Sequence, residues 1–359
     1  MQVLVTGGTG FVGSALCEEL AARGHDVTAL ARHPDEANFE GDVETARGDV
    51  TDYDSIEPHF EGQDAAVQLV ALSPLFRPDG GNERHFEVHL GGTENAVRAA
   101  EAHGVDTFLQ MSGVHADPNA DTAYLQSKGE AEAVVRNSEL DWIIFRPTVL
   151  FGDGDEFRSF TKLVAPPYLA PLPGGGDQRF QLMYVEDGAS VFADALEGKT
   201  GEEDADGADD EAVDDEDASE AAEDGADGDD DDEGDGDDDD EGDGDDDDEG
   251  DGNGNPHVGQ TYEVAGPEVK TFAELVQWTY AAENKPVKTV PLPMPFADIG
   301  LGVLGAVGGP LGSDQAKSLR KDLTVDHNDV DAFGVDAAEL TTYGEYLGVT
   351  EERVAELNH

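Results

Sequence analysis

The sequence predicts a doubly wound parallel α/β sheet, with a small C-terminal substrate lobe and a disordered acidic insertion. Three observations carry this. Apolar strand-like runs alternate with helical segments through the first half, a glycine-rich turn joins the first strand to the first helix, and the rhythm breaks into Pro- and Gly-rich stretches after Phe151. Strands are expected at 2–6, 26–31, 43–47, 65–70, 106–111 and 141–146, with helices near 11–22, 52–59, 84–103 and 124–138 between them. A helix over 185–196 and a strand over 260–264 follow on either side of the acidic run, which makes that run an expanded surface loop. Loop-closure entropy grows slowly enough with length to tolerate it. The stretches 165–176 and 286–312 have the composition of loops that build a lid.

The first element is the most informative. Residues 1–13 read as a strand, Val3 to Val5, running into Thr6-Gly-Gly-Thr-Gly-Phe-Val-Gly13, after which Phe11, Val12, Leu16 and Leu20 line one helical face. Gly7, Gly10 and Gly13 lack the Cβ that would hold a pyrophosphate away, so backbone N–H groups and the positive helix end can approach it. Gly8-x-Gly10-x-x-Gly13 is the three-glycine dinucleotide fingerprint in its strand–turn–helix context. Residues 1–200 are therefore expected to form an NAD(P)-binding domain. The insertion would occupy 201–256, and 257–359 would supply a strand returning to the core and the substrate-lobe segments.

The 359 residues carry a formal net charge of −63, from 83 acidic and 20 basic side chains. Residues 202–251 contain 33 of the acids and no Lys or Arg, including the octad Asp-Asp-Asp-Asp-Glu-Gly-Asp-Gly three times from Asp229 to Gly252. Such a run repels itself and cannot bury apolar surface, hence the expectation of disorder. The remainder is acidic too, which points to a protein that stays soluble in concentrated salt, where screening shortens the Debye length to roughly 3 Å at 1 M. The alternative is an interaction tail for a basic partner. Nucleic acid is excluded as a partner because its phosphates would be repelled. Cys17, the single cysteine, reads as a small core residue. With no cysteine cluster and no ligand spacing among the histidines, no metal is assigned. The amino terminus enters a strand directly, and no run of about 18 apolar residues exists. The expectation is a cytoplasmic protein without a transmembrane segment. The uncharged, glycine-rich stretch 299–312 leaves peripheral membrane contact as an alternative to an apolar lid.

Tyr124-Leu-Gln-Ser-Lys128 places a phenol and an ammonium four residues apart on one helical face. A nearby cation would stabilise phenolate and lower the tyrosine pKa from about 10, suiting proton exchange with a substrate oxygen. At the end of the second strand, Arg32 offers a guanidinium fork to a ribose 2′-phosphate, where an acid would favour the 2′-hydroxyl. NADP is the expected cofactor, with NAD possible because Asp35 and Glu36 lie close by.

On Thr6–Gly13, Gly48-Asp49-Val50, Met111-Ser112, Tyr124-x-x-Ser-Lys128 and Arg146-Pro147-Thr-Val-Leu-Phe151-Gly152, the chain resembles the short-chain dehydrogenase/reductase superfamily. Later segments, Gly152-Asp-Gly-Asp-Glu-Phe, Arg179-Phe-Gln-Leu-Met-Tyr-Val-Glu-Asp187 and Thr261-Tyr-Glu-Val-Ala-Gly-Pro-Glu268, are similar to the atypical branch. That branch holds the nucleotide-binding accessory subunit of respiratory complex I and its prokaryotic relatives; the extended sugar-nucleotide epimerases are less close. The resemblance implies that Gly7, Thr9, Gly10, Phe11, Val12 and Gly13 hold the pyrophosphate. It places Asp49 and Val50 at adenine, Ala71 and Leu72 on the ribose side, Tyr124 and Lys128 at the nicotinamide ribose, and Pro147 at the start of a loop closing over the nicotinamide. Catalysis would fall to Tyr124, Lys128 and Ser112.

Two departures stand out. Gly113 occupies the place where active relatives commonly carry a serine or threonine, and His89 replaces an asparagine usual near the start of the fourth helix. The leading expectation is an NADP-dependent oxidoreductase on a small or lipophilic, quinone-like carbonyl or hydroxyl compound, acting as monomer or homodimer. A nucleotide-sugar epimerase or dehydratase is one alternative, with Arg158, Lys162 and Arg179 as the basic residues able to clamp a diphosphate. The other is a non-catalytic accessory or assembly factor of a respiratory NADH:quinone oxidoreductase.

Overall fold

A computed structural model describes residues 1–201, 254–293, 314, 317 and 320–358. The body of the acidic insertion and the apolar stretch 299–312 lie outside the described residues. In chain order the elements are β1 (Gln2–Thr6), α1 (Phe11–Ala22), β2 (Asp26–Ala31), β3 (Val43–Arg47), α2 (Tyr53–Ile56), β4 (Ala65–Gln68), α3 (Glu83–His85), a π-helical turn (Phe86–Leu90) and α4 (Gly91–His103). These are followed by β5 (Thr107–Met111), α5 (Ala123–Arg136), β6 (Asp141–Pro147), β7 (Leu150–Phe151), α6 (Glu156–Val164), β8 (Tyr168–Pro173), β9 (Arg179–Phe180), β10 (Met183–Tyr184) and α7 (Val185–Glu197). After the insertion come β11 (Gln260–Val264), β12 (Lys270–Thr271), α8 (Phe272–Ala282), β13 (Val287–Leu292), α9 (Tyr343–Leu347) and α10 (Glu351–Asn358).

Seven strands form one parallel sheet in the order β11-β6-β5-β4-β1-β2-β3, the doubly wound topology expected from the alternation. Because the sheet is covered on both faces, its central strands are nearly continuous apolar runs: every residue of β4 and all but the first of β1 are buried. On one face Leu16, Cys17 and Leu20 of α1 pack with Val191, Phe192 and Leu196 of α7; on the other, Ala96, Val97 and Ala100 of α4 pack with Val135 of α5. The Cys17 thiol, pushed up to about 12 by burial and by Glu18, belongs to this core. Arg23 at the end of α1 locks it to α7 through Asp194 (2.5 Å) and Glu197 (2.7 Å).

A separate aromatic cluster, including Phe157, Phe160, Phe272, Trp278 and Tyr343, forms the core of the lobe beside the C-terminal ends of the strands. Capping boxes at Thr271/Glu274 and Thr342/Glu345 start α8 and α9. The insertion leaves and rejoins the fold where Asn255 donates to the Ala195 carbonyl at the end of α7 (2.7 Å) and His257 bridges the Tyr262 hydroxyl (2.7 Å) and the Lys199 carbonyl (2.8 Å). This is the end at which β11 begins, opposite the C-terminal strand ends. Among the described residues no helix is long and apolar enough to cross a membrane.

Candidate functional site

Strand order reverses between β1 and β4, and a cleft of about 800 Å³ opens at their C-terminal ends. At one side of it lies the glycine turn. Gly7 adopts φ +76°, a left-handed conformation that suits glycine, and its N–H donates to the Leu30 carbonyl at 2.8 Å, closing the turn on β2. Gly8 and Gly13 answer to packing. A Cβ on Gly8 would meet Ala29 at 2.7 Å, and one on Gly13 would meet the Gly7 oxygen at 2.2 Å. A Cβ on Gly10 would meet, among the described residues beyond its chain neighbours, the Gly7 oxygen at 3.1 Å and nothing else within 4 Å. Gly10 is the N-cap of α1, which has no side-chain cap and no acid in its first turn. The first-turn amides of Phe11, Val12 and Gly13 are thus offered to an anion by a positive helix end.

Toward β2 the cleft is lined by Arg32, His33, Glu36, Asp49 and Val50, together with Arg84 from α3. Asp49 accepts from the Thr51 amide (3.0 Å) and hydroxyl (2.8 Å). Burial works against its ionisation, but those bonds and the fields of Arg32 and Arg84 hold its carboxyl below the ordinary range. Asp35, the acid three residues after Arg32, is drawn off to Arg47 at 2.9 Å.

Toward β6 the lining is Ala71, Leu72, Ser112, Gly113, Tyr124 and Pro147, with Leu75, Val114, Val149 and Phe157 as an apolar wall. Thr122 caps α5 by accepting from the Leu125 amide at 3.3 Å, which sets Tyr124 in the first turn facing the cleft. The Tyr124 ring is edge-on to His85 (5.8 Å) and His89 (5.3 Å), and no protein group among the described residues hydrogen-bonds its hydroxyl. The Ser112 hydroxyl is buried and also lacks a partner among the described residues. A Cβ on Gly113 would stand 3.6 Å from the Tyr124 oxygen, ordinary contact, so the missing hydroxyl at 113 reflects the residue and not the available space.

Every predicted site residue therefore lines one cleft, except Lys128. Its ammonium is buried behind the wall and donates to the Met111 carbonyl at 2.8 Å. Burial pulls Lys128 down to about 8, against the attraction of Glu132 one turn further on. The expected lowering of the Tyr124 pKa is corrected by the structure: burial, and then the Glu156 carboxylate, push it up to about 12. Helical spacing put the two residues on one face but could not show that the tyrosine reaches the cleft while the lysine turns to the sheet.

Arg158 is tied to Asp155 (2.8 Å), Lys162 to Glu283 (2.5 Å) and Arg179 to Asp322 (2.7 Å), and none of the three lines the cleft. The sequence reading missed Arg84, Glu156, His115, Lys321 and Leu323 as lining residues. Lys321 and Leu323 arrive through a bridge between Leu323 and Phe180, with His115 Nε2 bonded to the Asp322 carbonyl (3.0 Å), a pairing of distant segments that no local pattern announces.

The NAD(P)H-binding family matches residues 7–163. The 3 beta-hydroxysteroid dehydrogenase/Delta 5→4-isomerase of Mycobacterium tuberculosis is 30% identical over 210 residues, 51% of this chain and 57% of that protein, so the match spans little more than half of the relative. NADH dehydrogenase (ubiquinone) 1 alpha subcomplex subunit 9, mitochondrial, of Arabidopsis thaliana is 24% identical over 301 residues, 82% of this chain and 60% of that one. A solved nucleoside-diphosphate-sugar epimerase from Staphylococcus aureus shares the fold at a TM-score of 0.65 and 15% identity, covering 97% of this chain and 99% of its own.

Proposed function

We propose that this chain, whose residues 7–163 match the NAD(P)H-binding family and whose motifs resemble the short-chain dehydrogenase/reductase superfamily, is an NADP-dependent oxidoreductase of a small or lipophilic carbonyl or hydroxyl compound. One observation carries the reading: the unpartnered Tyr124 hydroxyl faces an apolar-walled half of the same cleft that presents the uncapped N-terminus of α1. The residues fit a dinucleotide. The amides of Phe11, Val12 and Gly13 would take the pyrophosphate, Gly7, Thr9 and Gly10 would leave room for it, Asp49 and Val50 would flank adenine, and Ala71, Leu72 and Pro147 would border the nicotinamide side. Arg32, with no ion-pair partner among the described residues, would take a 2′-phosphate; the diversion of Asp35 to Arg47 supports that choice.

The bound cofactor supplies or accepts the hydride. Tyr124, kept protonated by burial, donates its phenolic proton to the carbonyl oxygen as reduction proceeds, and Ser112 donates a hydrogen bond to the same oxygen. Lys128 is held by the Met111 carbonyl, and to reach a ribose hydroxyl its ammonium must leave it. The apolar wall excludes water and favours a lipophilic substrate, in keeping with the steroid named for the mycobacterial relative. The nucleotide-sugar reading loses support because Arg158, Lys162 and Arg179 are paired outside the cleft. The accessory-factor reading keeps one specific support, the absence of a hydroxyl at Gly113.

Titration of the protein with NADPH and NADH in molar KCl, followed by nicotinamide fluorescence, tests the binding half. Arg32→Ala should cost NADPH affinity and spare NADH; equal loss of both would remove the 2′-phosphate assignment. Tyr124→Phe should retain NADPH binding and abolish carbonyl reduction in a substrate screen. Turnover equal to wild type would refute its role, and binding without turnover of any carbonyl would favour the accessory reading.

A further inference from the structure

His89 has no part in the chemistry above, yet both ring nitrogens are committed. It sits in the π-helical turn, where the Gly91 amide reaches back five residues to the Phe86 carbonyl, and it is 2% exposed. Nε2 lies 2.9 Å from the Leu72 amide nitrogen. That amide can only donate, so Nε2 must be an unprotonated acceptor. The Ser127 hydroxyl donates to the Tyr124 carbonyl at 2.9 Å, leaving its oxygen to accept from His89 Nδ1, also at 2.9 Å. One tautomer satisfies all three bonds: neutral imidazole with its proton on Nδ1. An imidazolium would set an N–H against the Leu72 N–H. The titratable groups facing the ring are Lys128 and Tyr124 from α5 and His85 from the preceding turn; the loop 69–75 contributes none. Burial, then the Lys128 charge, then His85 push protonation of His89 down to about 2.

We infer that His89 is a positioning residue, a neutral imidazole strut that fastens the loop carrying Leu72 to the helix carrying Tyr124 and Lys128. The two walls of the cleft are then held at one spacing throughout the physiological pH range. The strut also consumes the Leu72 N–H, so a ligand beside this loop can engage only the Leu72 carbonyl and side chain. The inference rests on the proposed reading of the cleft as a cofactor and reaction site, but its geometry can be tested separately.

The test uses the full chain in molar KCl. Histidine-labelled ¹⁵N spectra, assigned by loss of one signal in His89→Gln, should show a neutral Nδ1–H ring for His89 that does not titrate between pH 5 and 9. An Nε2–H tautomer, or titration near the ordinary histidine value, would overturn the strut. Glutamine can place an acceptor where Nε2 stood, whereas asparagine can replace only the Nδ1 donor. His89→Gln should therefore hold NADPH affinity within about threefold, and His89→Asn should weaken it by roughly tenfold or more, the scale of one buried unmade hydrogen bond. Equal behaviour of the two variants would reduce His89 to packing. Should wild type bind neither NADPH nor NADH, the cofactor reading fails while the ¹⁵N result still decides the strut. Should a variant not fold, the wild-type tautomer and its pH course decide the matter alone, with the His89 signal assigned through Ser127→Ala.

Discussion

Gly13→Ala puts one methyl group where the turn has no room for it. The new carbon would lie 2.2 Å from the Gly7 oxygen, 2.7 Å from Gly8 Cα and 2.9 Å from the Gly7 carbonyl carbon. All three are backbone atoms of one turn, so relief requires the turn to move by about 1 Å away from α1, and overpacking of this kind costs roughly 3 kcal/mol. At about 2–4 °C per kcal/mol for a domain of this size, the melting temperature should fall by roughly 6–12 °C. On the proposed reading, the same displacement would draw first-turn amides away from a pyrophosphate bound there. Two lost charge-assisted hydrogen bonds at about 1.5–3 kcal/mol each predict NADPH binding weakened by at least a hundredfold. Gly10→Ala is the control. Its methyl meets only the Gly7 oxygen at 3.1 Å, so stability should change little while the approach to the helix end is obstructed. Thermal melting in fixed KCl and NADPH fluorescence titration measure the two effects independently. A Gly13→Ala protein that melts within about 2 °C of wild type would show that the turn is not packed as described.

Glu132, 1% exposed and bonded to Arg146 (2.8 and 2.7 Å) and Arg136 (3.0 Å), holds two guanidinium groups; Glu132→Gln should cost about 3–5 kcal/mol, and a melting temperature equal to wild type would contradict this. Lys128 has a folded pKa of about 8 against 10.5 unfolded, so the unfolded chain binds more protons between those values and the lysine's contribution to stability rises with pH across that window. Lys128→Met should therefore melt higher than wild type at pH 7, with the gap narrowing toward pH 10; a gap independent of pH would exclude a buried, depressed lysine. Replacement of residues 202–253 by a four-residue Gly-Ser link should leave NADPH affinity unchanged and favour folding by roughly 2 kcal/mol from loop closure. Loss of binding in that protein would mean the insertion contributes to the cleft.

The sheet was legible because each strand is a short apolar run bounded by turn residues, and a parallel sheet buried on both faces demands such runs. The strand expected at 65–70 ends at Gln68 in the structure; the Leu69 amide still donates to the Thr6 carbonyl of β1 (3.1 Å), and Leu69 and Val70 then line the cleft. Composition could not mark that departure, because both residues are as apolar in the wall as they would be in the strand. The glycine turn was legible as a unit, but the separate duties of Gly8 against Ala29 and Gly13 against Gly7 appear only in three dimensions. His89 was hidden by a single backbone event. A π-helical turn leaves no compositional trace, and an imidazole that accepts from one segment and donates to another depends on distances between residues 17 and 38 positions apart.

The stems of the insertion emerge where β11 starts and α7 ends, side by side and away from the cleft. Whole octads could therefore be gained or lost there without altering the spacing of the residues that line the cleft. Repeat number would set the net charge of the molecule at a pole remote from the cleft.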